Sequence, residues 1–209
     1  LPIPKVGTVI LGGGCYGIAA IYPLARAFKQ AGNKVIGVLE ASSHFLFYME
    51  DKLKSVCDEL HYATRDGSRG IKGGVQDIFV ERLNSSEPPA LMVAVGCTFM
   101  MRLTEEATRP FAVPLQVALN PIMVDGTGMC GACRLSVNGK TKFACVDGPF
   151  FDAHKVDWEE LSSRRLAYAV AEIAALPQDA THIGVPTRNP WGGQEPMHAH
   201  GCSPKSVSA

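Results

Sequence analysis

No apolar run in this 209-residue chain reaches the ~18 residues of a membrane span, because Arg26 and Lys29 interrupt the best stretch. Neither charge is in excess. Twenty basic residues balance twenty acidic ones, which argues against a nucleic-acid or anionic-membrane binder. The opening Leu-Pro-Ile-Pro-Lys lacks the basic start and apolar centre of a signal peptide, and it begins at Leu rather than Met. The expectation is a cytoplasmic chain with residues missing in front. No Ser-His-Asp arrangement or pair of carboxylates stands out, so no side-chain catalyst is expected. Seven cysteines make an odd count for a disulfide framework. What is present is ordinary for a globular chain: 46% hydrophobic and 19% charged residues, enough for one large domain or one of ~150 residues with an appendage.

Over the first 120 residues, strand and helix patterns alternate. Val6–Leu11 is a short apolar run ending in Gly12-Gly13-Gly14, as a buried parallel strand should. Ile18, Ile21, Tyr22, Leu24, Ala25 and Phe28 recur at helical spacing until Gly32-Asn33 stops them. Further strands are expected at Lys34–Leu39, Leu60–Thr64, Leu91–Val95 and Pro114–Leu119. Helices are expected at roughly His44–Cys57, Val75–Leu83 and Cys97–Ala107. Five strands joined by helices require right-handed crossovers, which makes the fold class α/β with a doubly wound parallel sheet. Ligands of such sheets bind at the carboxyl ends of the strands.

After Asn120 the pattern changes. Asp125–Cys133 is glycine-rich, and Cys133–Val146 alternates around Asn138-Gly139, the strongest short hairpin signal. Trp158–Leu176 reads as an amphipathic helix. The expected division is 1–120, 121–155 and 156–209. From Pro177 the segment is rich in Pro, Gly, Ser and His, either a tail lying on something or disordered. Within it His198, His200 and Cys202 could bind a metal, but a flexible end is the better reading.

The sharpest motif is Asp125, Cys130, Cys133 and Cys145, spaced D-x4-C-x2-C-x11-C. Plant-type 2Fe–2S sites use C-x4-C-x2-C with a distant fourth cysteine, and this chain has that frame with Asp in the first place. Gly126, Gly128 and Gly131 allow backbone amides to curl toward an anionic cluster. A carboxylate in the fourth position is a harder ligand than thiolate and alters the potential. Zinc remains open as an occupant, although zinc ribbons usually pair two CxxC knuckles and only one is present.

A second motif, Gly12-Gly13-Gly14-Cys15-Tyr16-Gly17, sits between a strand and a helix, where glycines let backbone approach a pyrophosphate. Glu40 ends the second strand, placed to accept bonds from ribose hydroxyls and favouring NAD over NADP, or else to lie solvated in a loop. Arg65 and Arg69 could instead hold a phosphate. Gly96 and Cys97 close the fourth strand at the mouth of the same region.

Three segments, LGGGCYGIAAIYPLARAFKQAGN, GCTFMM and NPIMVDGTGMCGACRLSVNGKTKFACVDGPFFD, strongly resemble the small (alpha) subunit of the NADH-dependent reduced ferredoxin:NADP oxidoreductases. That subunit is related to the electron-transfer subunit of dihydroorotate dehydrogenase and to sulfide dehydrogenase beta chains, in the ferredoxin-reductase-like superfamily. The resemblance covers about residues 5–160. It implies a preceding FAD barrel, a pyridine-nucleotide domain and a 2Fe–2S hairpin, with NAD(P)H as the nucleotide. It places one Asp and three Cys on the cluster, at Asp125, Cys130, Cys133 and Cys145. The nucleotide loop falls on Gly13, Gly14 and Gly17, with Cys15 beside them a further candidate for cofactor binding, and the flavin- and nicotinamide-facing strand end on Gly96 and Cys97. It further implies a heteromeric flavoprotein or iron–sulfur partner and a carrier such as ferredoxin. Sulfide, dihydroorotate and hydrogenase-type partners stay open, although Asp125 speaks against the dihydroorotate type, which resembles an all-cysteine site. No FAD barrel precedes Leu1 in this sequence, so the flavin would be held elsewhere.

Overall fold

The computed structural model describes residues 1–175. One compact unit spans Leu1–Ala169, and a second begins at Val170. Strands alternate with helices over the first 120 residues except where the two-residue β4 follows β3 directly. β1 (Thr8–Gly14), α1 (Gly17–Gln30), β2 (Lys34–Ala41), α2 (Glu50–Lys54) and β3 (Glu59–Thr64) come first. β4 (Ile71–Lys72), α3 (Val75–Leu83), β5 (Leu91–Val95), α4 (Thr98–Thr108) and β6 (Leu115–Ala118) follow. Then come β7 (Arg134–Val137), β8 (Lys140–Phe143), α5 (Ala144–Asp147), β9 (Phe150–Asp152), α6 (Trp158–Arg165) and α7 (Ala169–Ala174).

The main sheet has the order β4-β3-β2-β1-β5-β6-β9 and is parallel except for β9, which runs antiparallel to β6. Strand order reverses between β1 and β5, so the crevice expected of a doubly wound sheet opens at their carboxyl ends. Side chains on β1 alternate between two layers. Val9 and Leu11 pack with Ile18, Ile21, Ala25 and Phe28 of α1. Ile10 packs on the other face with α3 and α4, through Val75, Phe79, Met100 and Met101. Phe28 and Phe79 are fully buried, each stabilising the fold by ~1.5–3 kcal/mol.

Residues 121–155 do not stand apart from this sheet. β9 extends it, and Cys133, Leu135 and Ala144 share one core with Met92, Met100 and Leu115. The hairpin forms as its sequence demands. Asn138 (φ +52°) and Gly139 (φ +69°) both take the left-handed conformation that joins β7 to β8 in two residues.

Two expected helices are shorter than their patterns. The region 44–57 yields only a single 3₁₀ turn, His44–Leu46, and α2. Met49 is left-handed there, and the Tyr48 hydroxyl donates to the Cys15 carbonyl at 2.8 Å, turning that stretch toward the end of β1. The helix expected over Trp158–Leu176 breaks after Arg165. Asp157 caps its start by accepting the Glu160 amide at 2.9 Å, and Trp158, Leu161 and Ser162 supply its buried face. None of residues 163–172 is buried, so the apolar stripe that would carry the first helix onward runs out. The two extra strands, β4 and β9, are two and three residues long and carry no periodic signal. His198, His200 and Cys202 lie outside the described residues.

A carboxylate on β3 ties the sheet together. Lys34 donates to Glu59 at 3.0 Å, and Arg82 and His61 add to it, holding the carboxyl at about 2 instead of 4.5. A depressed folded value means stability that is present above pH 4.5 and lost as pH falls toward 2, up to about 3 kcal/mol. Glu59→Gln is expected to flatten the melting temperature against pH across that window while wild type declines.

Candidate iron–sulfur and nucleotide site

The segment between β6 and β7 has no regular structure, and its glycines explain why it can fold back on itself. Gly126, Gly128 and Gly131 all have positive φ, at +75°, +86° and +67°. The turn they make lets one carboxylate collect several donors. Asp125 accepts the Thr127 amide at 3.0 Å through Oδ1, and the Cys130 amide at 3.0 Å through Oδ2. The Thr127 amide leads the interactions that hold the Asp125 carboxyl below its ordinary range.

Cys133 and Cys145 flank the open end of the hairpin, where Arg134 pairs with Phe143, with their sulfurs 3.3 Å apart. The hydrogen bond from Cys133 raises the Cys145 thiol, while the Gly128 amide, directed at Cys145, opposes that shift. The Ala132 amide donates to Cys130 Sγ at 3.4 Å. The four side chains therefore stand as two pairs, Asp125 with Cys130 and Cys133 with Cys145. Among the described residues no three His, Cys, Asp or Glu side chains converge as a mononuclear metal site requires. Two donor pairs, with amides aimed at two sulfurs, suit a binuclear cluster, in which each iron takes two protein ligands.

The glycine loop lies at the sheet's crevice. Gly13 and Gly17 are in mutual contact: a Cβ on Gly13 would sit 2.8 Å from the Gly17 carbonyl, and one on Gly17 would sit 1.8 Å from that of Val95. Cys15 is exposed and left-handed, φ +51°. Burial first, then the nearby Cys97, raises its thiol. Cys97 caps α4, half-buried, and Gly96 lies against Met100 and the Gly14 carbonyl. The loop, Gly96 and Cys97 are thus gathered at one strand-end region, as their sequence positions suggest.

Glu40 is placed otherwise. It is 7% exposed; Oε2 accepts the first amide of α3, Val75, at 2.9 Å, and Oε1 lies 3.4 Å from Arg65. Its carboxylate stabilises α3 rather than standing free for ribose hydroxyls. Arg69 is likewise taken, donating to Glu50 through both Nη atoms at 2.9 and 2.7 Å. Arg65 is half exposed and lines a cleft of about 300 Å³ with Glu40, Lys72, Gly74 and Phe99.

Sequence reasoning missed a network that joins the two motifs. The Tyr16 hydroxyl donates to the Gly96 carbonyl at 2.5 Å and accepts from Asn120 Nδ2 at 2.8 Å. Asn120 Oδ1 in turn accepts from Thr98 at 2.8 Å, and Arg165 donates to the Asn120 carbonyl at 2.9 Å. Burial, ahead of Cys97, raises the Tyr16 phenol, so it remains a donor. These residues are 104 positions apart in the chain, and no local pattern marks them.

A doubly wound sheet with an amide-lined thiol and carboxylate loop packed into the same core has the features of a chain that combines nucleotide and iron–sulfur binding. Comparison with known proteins agrees. Residues 120–157 match the iron-sulfur cluster binding domain of dihydroorotate dehydrogenase B. A Thermotoga maritima homologue of the dihydroorotate dehydrogenase B (NAD(+)) electron transfer subunit is 48% identical over 170 residues, covering 81% of this chain and 60% of that one. The Enterococcus faecalis electron transfer subunit is 30% identical over 154 residues, covering 71% and 58%. A chain from the solved NADH-dependent reduced ferredoxin-NADP oxidoreductase, described there in terms of flavin-based electron bifurcation, superposes with a TM-score of 0.74. It is 45% identical, covering 83% of this chain and 62% of that one. The chain is thus similar to ferredoxin-reductase-like electron-transfer subunits, and it spans about three fifths of the length of the relatives it matches. No helix among the described residues is long and apolar enough to cross a membrane.

Proposed function

We propose that this chain is the electron-transfer portion of an NAD(P)H-dependent oxidoreductase, passing electrons between NAD(P)H, FAD and a 2Fe–2S cluster and on to a partner subunit. The observation that carries this reading is the division of the motif into two donor pairs. Asp125 and Cys130 would hold one iron, and Cys133 and Cys145 the other. When bound, the cluster supplies one-electron chemistry, and the protein sets its place and potential. Gly128 and Ala132 direct amides at the sulfurs, which favours the anionic form.

The nucleotide's dinucleotide portion would lie over Gly13, Gly14, Cys15 and Gly17, with its nicotinamide toward Gly96 and Cys97. Tyr16 fixes the two strand ends relative to each other through the Gly96 carbonyl. FAD would be held by a preceding segment or by the partner. A soluble carrier such as ferredoxin would accept electrons from the complex, and its setting would be the cytoplasm. Relatives named for dihydroorotate dehydrogenase B favour a second reading, in which the partner oxidises dihydroorotate.

Anaerobic purification followed by metal analysis and visible absorption tests the reading. A red-brown chain with two irons, matched by acid-labile sulfide, is the expected result. A colourless chain containing zinc would leave only a nucleotide-binding module.

A further inference from the structure

Between Cys130 and Cys133 the chain turns through Gly131, and each of the turn's two carbonyls meets an arginine. Arg134 Nη1 donates to the Gly131 carbonyl at 3.1 Å, joined by the Arg134 backbone amide at 3.3 Å. Arg164 reaches over from α6, and its Nη2 donates to the Ala132 carbonyl at 3.1 Å. The bonding partners of these carbonyls give the contacts a consequence. The Gly131 carbonyl belongs to the same peptide as the Ala132 amide, which donates to Cys130 Sγ at 3.4 Å. The Ala132 carbonyl shares its peptide with the Cys133 amide. A cation at the oxygen end of a peptide draws density away from the N–H and makes it a stronger donor.

Charge adds to this. Among the described residues neither guanidinium is in an ion pair with a carboxylate, and each donates to a carbonyl of the loop. Arg164 Nε is buried without a hydrogen-bond partner, beside a hollow lined by Pro121, Ile122 and Tyr168. A cation that is partly shielded from solvent acts more strongly on its neighbours than one in bulk water.

We infer that Arg134 and Arg164 are positioning residues for the cluster: they clamp the Gly131 and Ala132 carbonyls, aim the loop amides, and favour the reduced state. The inference rests on the ligand set proposed above. Two ferric ions, two sulfides, three thiolates and one carboxylate sum to a charge of minus two, and one electron from a reductant makes it minus three. No bond forms or breaks in that step. Nearby cations stabilise the more negative state, so removing one disfavours reduction.

The test is a reductive titration of the full chain, reconstituted with iron and sulfide, using dithionite as the electron source and EPR as the readout. Arg134→Gln and Arg164→Gln are each expected to lower the reduction equilibrium constant roughly tenfold, which is 59 mV for a one-electron couple. Iron content should stay at the wild-type level. Arg134→Lys, which keeps the charge, should recover most of the loss, and high salt should shrink the difference at exposed Arg134. If Arg164→Gln fails to take up iron, Arg134→Gln decides alone. Loaded clusters with unshifted midpoints overturn the inference, whereas a wild-type chain that binds no iron overturns the ligand set as well.

Discussion

Cys133→Ala is expected to abolish the visible iron–sulfur absorption while leaving the sheet intact. Cys133 is 2% exposed and belongs to the core shared by α3, α4 and the hairpin, so its β-carbon packs even when its sulfur is removed. Losing one buried sulfur costs about 1 kcal/mol, well inside the stability of a domain this size. The functional loss would be complete by contrast, because Cys145 would face no second thiolate across the 3.3 Å gap and, in the proposed ligand set, one iron would keep a single protein ligand. Iron analysis alongside far-ultraviolet circular dichroism separates the two effects. An alanine variant that keeps both irons would show that Cys133 is a packing residue only.

Gly17→Ala is expected to damage the fold itself. A Cβ at Gly17 would stand 1.8 Å from the Val95 carbonyl oxygen and 2.4 Å from its carbon. Both are backbone atoms at the end of a central strand, so relief requires α1 to lift from the sheet and strips contacts from Ile18 and Ile21. We expect a cost of roughly 4 kcal/mol and a fall of about 10 °C in melting temperature. Gly14→Ala is the informative contrast. Its Cβ would meet Met100 Sδ at 2.6 Å, the far end of a flexible side chain that can swing aside, so its cost should be distinctly smaller. A Gly17→Ala chain melting within about 2 °C of wild type would mean that α1 is not seated as described.

These two residues mark what the sequence made readable. Gly17 and Cys133 sit in short, strongly patterned stretches, where a strand, a turn and a helix or a fixed ligand spacing leave few alternatives. The five core strands, α1, α3 and the Asn138-Gly139 hairpin were legible for the same reason. Region 44–57 was not, because its exposed Phe45 and Leu46 imitate a helical stripe while Tyr48 answers to the Cys15 carbonyl instead. Glu40 looked like a ribose acceptor because it follows the apolar run of the second expected strand. Its engagement by the Val75 amide depends on α3 folding back across 35 residues, which no local pattern encodes. Tyr16, Asn120 and Arg164 were invisible for that reason also: each bonds to a group that tertiary folding brings near.

The central claim is that two irons sit between unlike donor pairs, one with a carboxylate and a thiolate, the other with two thiolates. Mössbauer spectroscopy of the oxidised, iron-57-enriched chain reads this directly, since each ferric site gives its own quadrupole doublet. Two unequal doublets of equal area are expected in wild type, drawing together in Asp125→Cys. A single doublet in the wild-type chain, or two doublets that Asp125→Cys leaves unmoved, would contradict it.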